Sequence, residues 1–170
     1  MNAATLAHEL EERERAARAR LAPLAAEYPF TPRFHAQPLG RATVFQHYID
    51  EGPRDGAEAT LFVHGNPTWS FAFRRALRVL SAERRCVAVD HVGCGLSDKP
   101  SDFHYTLAAH VANLERLVLA LDLARIHLVV HDWGGPIGLG FARRHPARIA
   151  RLTITNTAAF ALAGALPLRL

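Results

Sequence analysis

Cysteine, lysine and uninterrupted apolar runs are all scarce in this sequence, and each scarcity excludes something. Cys86 and Cys94 are the only cysteines in 170 residues, and their spacing forms neither a disulfide framework nor a metal-ligand motif. Two reduced thiols, no metal and no cofactor are therefore expected. No apolar stretch reaches the length that crosses a bilayer, because charge or proline interrupts each candidate. The first residues mix glutamate with arginine instead of building a signal-peptide core. A soluble, cytoplasmic chain without a transmembrane segment is the expectation. Lys99 is the sole lysine among 20 basic residues, so the formal charge of +4 rests on arginines, which are scattered along the chain. A nucleic-acid partner, which calls for a clustered basic patch, is not expected.

What is present suits one domain with a sizeable core: 49% of the residues are hydrophobic. Leu6, Leu10, Ala17, Leu21 and Leu24 recur at near-heptad spacing, predicting an amphipathic helix over 4–22 before Pro23 interferes. It is expected to be solvated and loosely packed, with a partner-binding helix as the alternative, and residues 1–27 read as helix plus linker. The segment EYPFTPRF then reads as a docked loop.

From Ala42 the periodicity changes. Strands are predicted at 43–49, 60–64, 86–90, 126–131 and 151–156. Helices fall between them: one from Ser70, with that hydroxyl as N-cap, one capped by Thr106, and one over 134–145 that stops before Pro146. Alternating strands and helices, several strands apolar throughout, imply a doubly wound, mostly parallel α/β sheet. Ligands in such sheets bind beyond the carboxyl ends of the strands.

Three strand ends are chemically unusual. VVHDWGGP (129–136) runs from an apolar strand through Asp132 and Trp133 into Gly134, Gly135 and a helix. This layout fits a nucleophile elbow, a strained strand-to-helix turn that needs small residues around its tip. The plainer alternative is that Asp132 merely caps the helix. HGNPTWS (64–70) follows the second strand, and its Gly65 and Pro67 shape a loop whose backbone can approach a ligand while Asn66 offers an amide. An ordinary β-to-α turn is the alternative. A third strand end, DHVGCGLSDKP (90–100), reads as structural, with Asp90 and Ser97 bonding backbone. It lacks the residues that would make it a phosphate loop.

Together HGNP and HDWGG resemble the haloalkane dehalogenase group of α/β-hydrolases over roughly residues 28–160. Within that group EYPFTPRF, HYIDEGP, HGNPTWSF and NTAAF are most similar to the β-lactone decarboxylases of bacterial olefin biosynthesis. The resemblance implies an α/β-hydrolase fold with Asp132 as nucleophile, Asn66 and Trp133 holding the leaving anion, and His64, Gly65, Pro67, Gly134 and Gly135 shaping the loops. It also implies a small apolar substrate, a β-lactone or haloalkane, and partner enzymes of the olefin pathway. Elementary chemistry agrees about the nucleophile: a carboxylate attacking an ester or amide carbonyl gives an unstable anhydride, whereas attack at an sp³ carbon gives a stable ester. Dehalogenation of a haloalkane is the nearest alternative. Epoxide hydrolysis comes third, since those enzymes carry an aromatic residue where this chain has Asn66, and a non-catalytic binding module comes last.

The family orders its triad as nucleophile, acid, then a late histidine. After Asp132 this sequence has no Asp or Glu, and its one histidine there, His145, reads as closing a helix. His131 points away along its strand. The expectation is a fragment or truncated product, with 161–170 (ALAGALPLRL) entering a cap, and no activity in these residues alone.

Overall fold

A computed structural model of the chain describes residues 2–40, 42–56 and 58–158. Helix α1 (Ala3–Leu21) opens on Asn2, whose side-chain oxygen accepts the N–H of Thr5, and passes into a 3-10 turn containing Pro23. Strands β1 (Arg33–Leu39) and β2 (Ala42–Glu51) form an antiparallel hairpin. Strand β3 (Ala59–Val63), helix α2 (Arg74–Leu80), strand β4 (Arg85–Val89), helix α3 (Leu107–Ala120), strand β5 (Ile126–His131), helix α4 (Gly134–Arg144) and strand β6 (Ile149–Thr155) then alternate. The sheet order is β1-β2-β4-β3-β5-β6, with β4, β3, β5 and β6 mutually parallel and β2 antiparallel to β4. The cap residues foreseen at 161–170 lie outside the described residues.

Side-chain alternation explains the layers. Leu61, Val63, Val87, Val89, Leu128 and Val130 point to one face, where they pack with Val111, Leu114 and Leu117 of α3 and Ile137 and Phe141 of α4. The intervening Phe62, Cys86 and Ala88 face the opposite way, toward Leu77 of α2 and Leu21 of α1. Both faces of the central strands are thus covered, which is why their sequences run apolar without a break.

Three local expectations change. EYPFTPRF is a loop only as far as Pro32, because β1 begins at Arg33; its Pro38 is tolerated on the outermost strand, and its half-polar composition hides the β periodicity. The helix expected from Ser70 starts as a 3-10 turn over Ser70–Phe73, and Ser70 is no N-cap: its hydroxyl is buried 2.6 Å from the Tyr28 hydroxyl. Helix α1 is docked, not loose. Ala17 and Leu21 are buried, and Arg13 pairs with Asp98 at 2.7 Å while its guanidinium lies 3.9 Å over the Phe45 ring.

The loops at the carboxyl ends of β3 and β4 are joined by one carboxylate. Asp90 is completely buried; Oδ1 accepts the Ser70 N–H at 2.8 Å, and Oδ2 accepts the Leu96 N–H at 2.9 Å and faces His47 Nδ1 of β2 at 2.8 Å. Burial alone would raise its pKa. The neighbouring His47 charge and hydrogen bond, with His64 and Ser70, outweigh that and hold the carboxyl well below the usual range. Asp90→Ala should therefore destabilise the fold by about 3–5 kcal/mol, read from the denaturant midpoint. Because the folded pKa is depressed, Asp90's contribution is complete above the ordinary aspartate pKa of about 4 and is lost as pH falls below it. Acid titration of stability should accordingly be shallower below about pH 4 in Asp90→Asn than in the parent.

Candidate active site

Strand β5 ends at His131, and the chain must reverse into α4 within two residues. Asp132 takes up that turn in the left-handed region, with φ of +52°, a conformation aspartate tolerates better than most residues do. The tip is closed from behind. Gly135 N–H donates to the Asp132 carbonyl at 2.9 Å, and the Thr157 hydroxyl donates to the same oxygen. Gly134 lies where β3 passes: a Cβ there would come within 2.0 Å of the Val63 carbonyl oxygen, so no larger residue fits between α4 and the sheet.

The capping alternative for Asp132 is not what the structure contains. No side chain caps α4; instead Asp132 Oδ1 accepts the main-chain N–H of Asn66, across from the end of β3, at 2.8 Å. Gly65 permits this approach, since a Cβ on it would stand 2.2 Å from the same Oδ1. His64 Nδ1 lies 2.6 Å from the Gly65 carbonyl, and the Thr68 hydroxyl donates to that carbonyl at 3.2 Å. Pro67 follows a cis bond and is exposed. The two motifs, 66 residues apart in sequence, thus meet through one hydrogen bond.

Beside this junction opens a cleft of about 580 Å³. Its lining includes Asn66, Trp133, Ile137, His91, Tyr105 and His110. The lining is largely apolar, with a few polar groups, as small-molecule sites are. Two histidines of this lining, His91 and His110, and the buried His64 behind it all have lowered pKa values. Burial lowers the pKa of His64; burial, then His64 and His110, holds that of His91 well below the usual value; burial, then His64, lowers that of His110.

Two residues that the sequence singled out do not join the site. His145 closes α4 at the end remote from Asp132 and pairs with Glu115 of α3, so it remains a helix terminus. His131 lies within β5, half-buried, one residue before the elbow. Conversely, Thr157, His91 and His110 belong to the site's surroundings but gave no signal. His91 and Thr157 lie in segments that the sequence singled out, DHVGCGLSDKP and NTAAF, but nothing in those segments marks these two residues; like His110, they are brought near by chain crossings that no local pattern encodes.

The pattern of the alpha/beta hydrolase fold family matches residues 59–168, and the chain belongs to this family. More particularly, it is 50% identical over 127 residues to the cis-3-alkyl-4-alkyloxetan-2-one decarboxylase of Shewanella oneidensis, an alignment covering 73% of this chain and 39% of that protein. The enzyme of the same name from Xanthomonas campestris pv. campestris is 46% identical over 144 residues, covering 79% of this chain and 46% of the relative. Haloalkane dehalogenase 2 of Mycobacterium tuberculosis is 38% identical over 130 residues, covering 76% and 43%. Among solved structures, haloalkane dehalogenase DpaA from Paraglaciecola agarilytica superposes with a TM-score of 0.73 at 37% identity, over 78% of this chain and 45% of that one. The chain spans less than half the length of the curated relatives it matches. The resemblance read from HGNP and HDWGG, to the haloalkane dehalogenase group and its β-lactone decarboxylases, agrees with these relatives. Among the described residues no helix is long and apolar enough to cross a membrane.

Gly134→Ala tests the closure of the elbow. Because the obstacle is main chain of β3, the substitution should destabilise the protein by about 1–3 kcal/mol, read as a lower thermal or denaturant midpoint. Gly56→Ala, at a position with open space around it, should leave that midpoint nearly unchanged.

Proposed function

We propose that this chain carries the nucleophile-bearing part of a β-lactone decarboxylase that turns a cis-disubstituted oxetan-2-one into a cis-olefin and carbon dioxide. The observation that carries the reading is the Asp132 carboxylate, presented at a positive-φ turn with Oδ1 engaged by the Asn66 N–H, beside a largely apolar cleft. The identity to two oxetan-2-one decarboxylases supports this substrate class over the alternatives.

In this reading Asp132 Oδ2 attacks the ring carbon that bears the lactone oxygen. The C–O bond breaks, and its electron pair leaves on a carboxylate still attached to the neighbouring carbon. Asn66 and Trp133, which border the cleft, supply the amide and indole donors for that departing anion. The bond to this carboxylate then breaks, releasing carbon dioxide. Its electrons form the carbon–carbon double bond and expel the Asp132 carboxylate. The Asn66 N–H stabilises the oxygen that regains charge. Inversion in the first step followed by anti elimination in the second preserves the cis relationship. No water or external proton enters the product.

Haloalkane dehalogenation is the second reading, favoured by the dehalogenase relatives. It shares the alkyl-ester step but needs an activated water to cleave the ester. The substrate would be small and apolar in either case. Association with other enzymes of olefin formation and a cytoplasmic location fit the first reading.

We also propose that residues 1–170 alone do not turn over. Asp132 is partly exposed to solvent there, and a hydrated carboxylate is a weak nucleophile. After Asp132 the sequence contains no acid, and its one histidine is engaged with Glu115.

Assays of the whole gene product with a cis-β-lactone and with a bromoalkane, following olefin and bromide, distinguish the readings. Olefin without bromide is expected; bromide release alone would replace the first reading by the second. In D2O the olefin should contain no deuterium at its vinylic carbons. Asp132→Asn should lower turnover by at least about 10³-fold, and Trp133→Phe by roughly 10- to 100-fold through loss of the indole donor. Multiple turnovers by the 170-residue chain would refute its proposed inactivity.

A further inference from the structure

The Gly65–Asn66 peptide is bonded at both ends. Its carbonyl oxygen faces His64 Nδ1 at 2.6 Å, and its N–H donates to Asp132 Oδ1 at 2.8 Å. Only the next bond, Asn66–Pro67, is cis, so Gly65–Asn66 is a planar trans unit whose C=O and N–H point in opposite directions. Whatever fixes the carbonyl therefore also fixes the direction of the N–H.

His64 is fixed in turn. The Gly65 carbonyl can only accept, so Nδ1 must carry the proton. The main-chain N–H of His91 points at His64 Nε2 at 3.0 Å and can only donate, so Nε2 must present its lone pair. The two partners together permit one neutral tautomer and no other protonation state. A reciprocal bond locks the pair: His91 Nε2 lies 2.9 Å from the His64 carbonyl, an acceptor, so that nitrogen is the donor, and the two rings pack at 4.3 Å. Both side chains are buried, at 0% and 4% exposure, which leaves no water to substitute for a missing partner.

We propose that His64 is a positioning residue that aims the Asn66 N–H at Asp132 through the intervening peptide plane, and that His91 holds it in the tautomer able to do so. The four groups form one directional series: His91 N–H to His64 Nε2, His64 Nδ1–H to the Gly65 carbonyl, and Asn66 N–H to the Asp132 carboxylate. Donation to a peptide carbonyl polarises the same peptide's N–H, so His64 strengthens the bond to Asp132 as well as directing it. The Thr68 hydroxyl, at 3.2 Å on the same carbonyl, is the weaker second donor. The consequence for catalysis rests on the reading of Asp132 as nucleophile; the hydrogen-bond series itself does not.

The test is nuclear magnetic resonance of the 15N-labelled 170-residue chain. Ring nitrogen correlations of His64 should show a protonated Nδ1 and an unprotonated Nε2; a ring protonated on Nε2, or on both nitrogens, would overturn the proposal without any variant being made. His64→Leu should accelerate hydrogen exchange of the Asn66 amide on the order of tenfold and shift its proton resonance upfield, the loss of one buried hydrogen bond. His64→Asn, whose amide nitrogen can occupy the Nδ1 position, should restore both toward the parent values. If the folded His64→Leu variant leaves the Asn66 amide unchanged, the idea fails. Should that variant not fold, the parent tautomer and the His64→Asn amide decide. Asp132→Asn separates the two layers: a loss of activity there reports on the nucleophile, whereas the His64 tautomer stands or falls independently of it.

Discussion

The contact between the Asn66 main chain and the Asp132 carboxylate is the constraint around which this structure is arranged. It joins the ends of β3 and β5, which are neighbours in the sheet, and at 2.8 Å it fits only if nothing else occupies the gap. That requirement reaches outward. Gly65 must lack a side chain because its Cβ would overlap the carboxylate, and Gly134 must lack one because α4 has to pass close to β3. Asp132 must bend into positive φ, a strain of about 1–2 kcal/mol sustained by the bonds that Gly135 and Thr157 make to its carbonyl. A charge at the tip of such a turn is the kind of feature found where a fold has been organised around chemistry.

Behind that contact lies a buried polar layer. Asp90, His47, His64, His91 and Ser70 are almost completely enclosed, yet they hold the ends of β2, β3 and β4 together. Burying such groups is costly unless they find partners; main-chain N–H and carbonyl groups supply many of them, while His47 bonds Asp90 through Nδ1 and leaves Nε2 unpaired among the described residues. Hydrogen bonds from this layer tie the loops at the carboxyl ends of the strands to one another and to β2. A site that depends on hydrogen-bond direction gains from such rigidity, because small displacements of a donor weaken charge stabilisation sharply.

In the proposed function, an aspartate nucleophile in place of a serine narrows the chemistry independently of any relative. A carboxylate that forms an ester with an sp³ carbon needs a leaving group that departs as an anion, and a strained lactone supplies one tethered to its own substrate. The cleft beside Asp132 has a largely apolar lining with few polar groups, as small-molecule sites do. Burial lowers the pKa of His91 and His110 in its lining, which disfavours positive charge there.

Much of this was legible in the sequence, and the parts that were not share a cause. Strand and helix order from Ala42 onward followed from apolar periodicity, with β5 recovered over Ile126–His131, and the two glycine-bearing strand ends marked Asp132 and Asn66 as a pair. β1 stayed hidden because Gln37 and Pro38 break its pattern; it is a strand only because β2 lies beside it. Ser70 was misread as a cap for a similar reason: its hydroxyl is drawn instead to Tyr28, 42 residues earlier. Composition and spacing determined the fold class and the identity of the acidic residue at the elbow. Only the tertiary structure decided that Asp132 bonds Asn66 rather than its own helix, that Thr157 holds the Asp132 carbonyl, and that His64 and His91 bond the neighbouring main chain. Local patterns record which backbone a segment prefers, whereas hydrogen-bond partners are chosen by the crossings of distant segments.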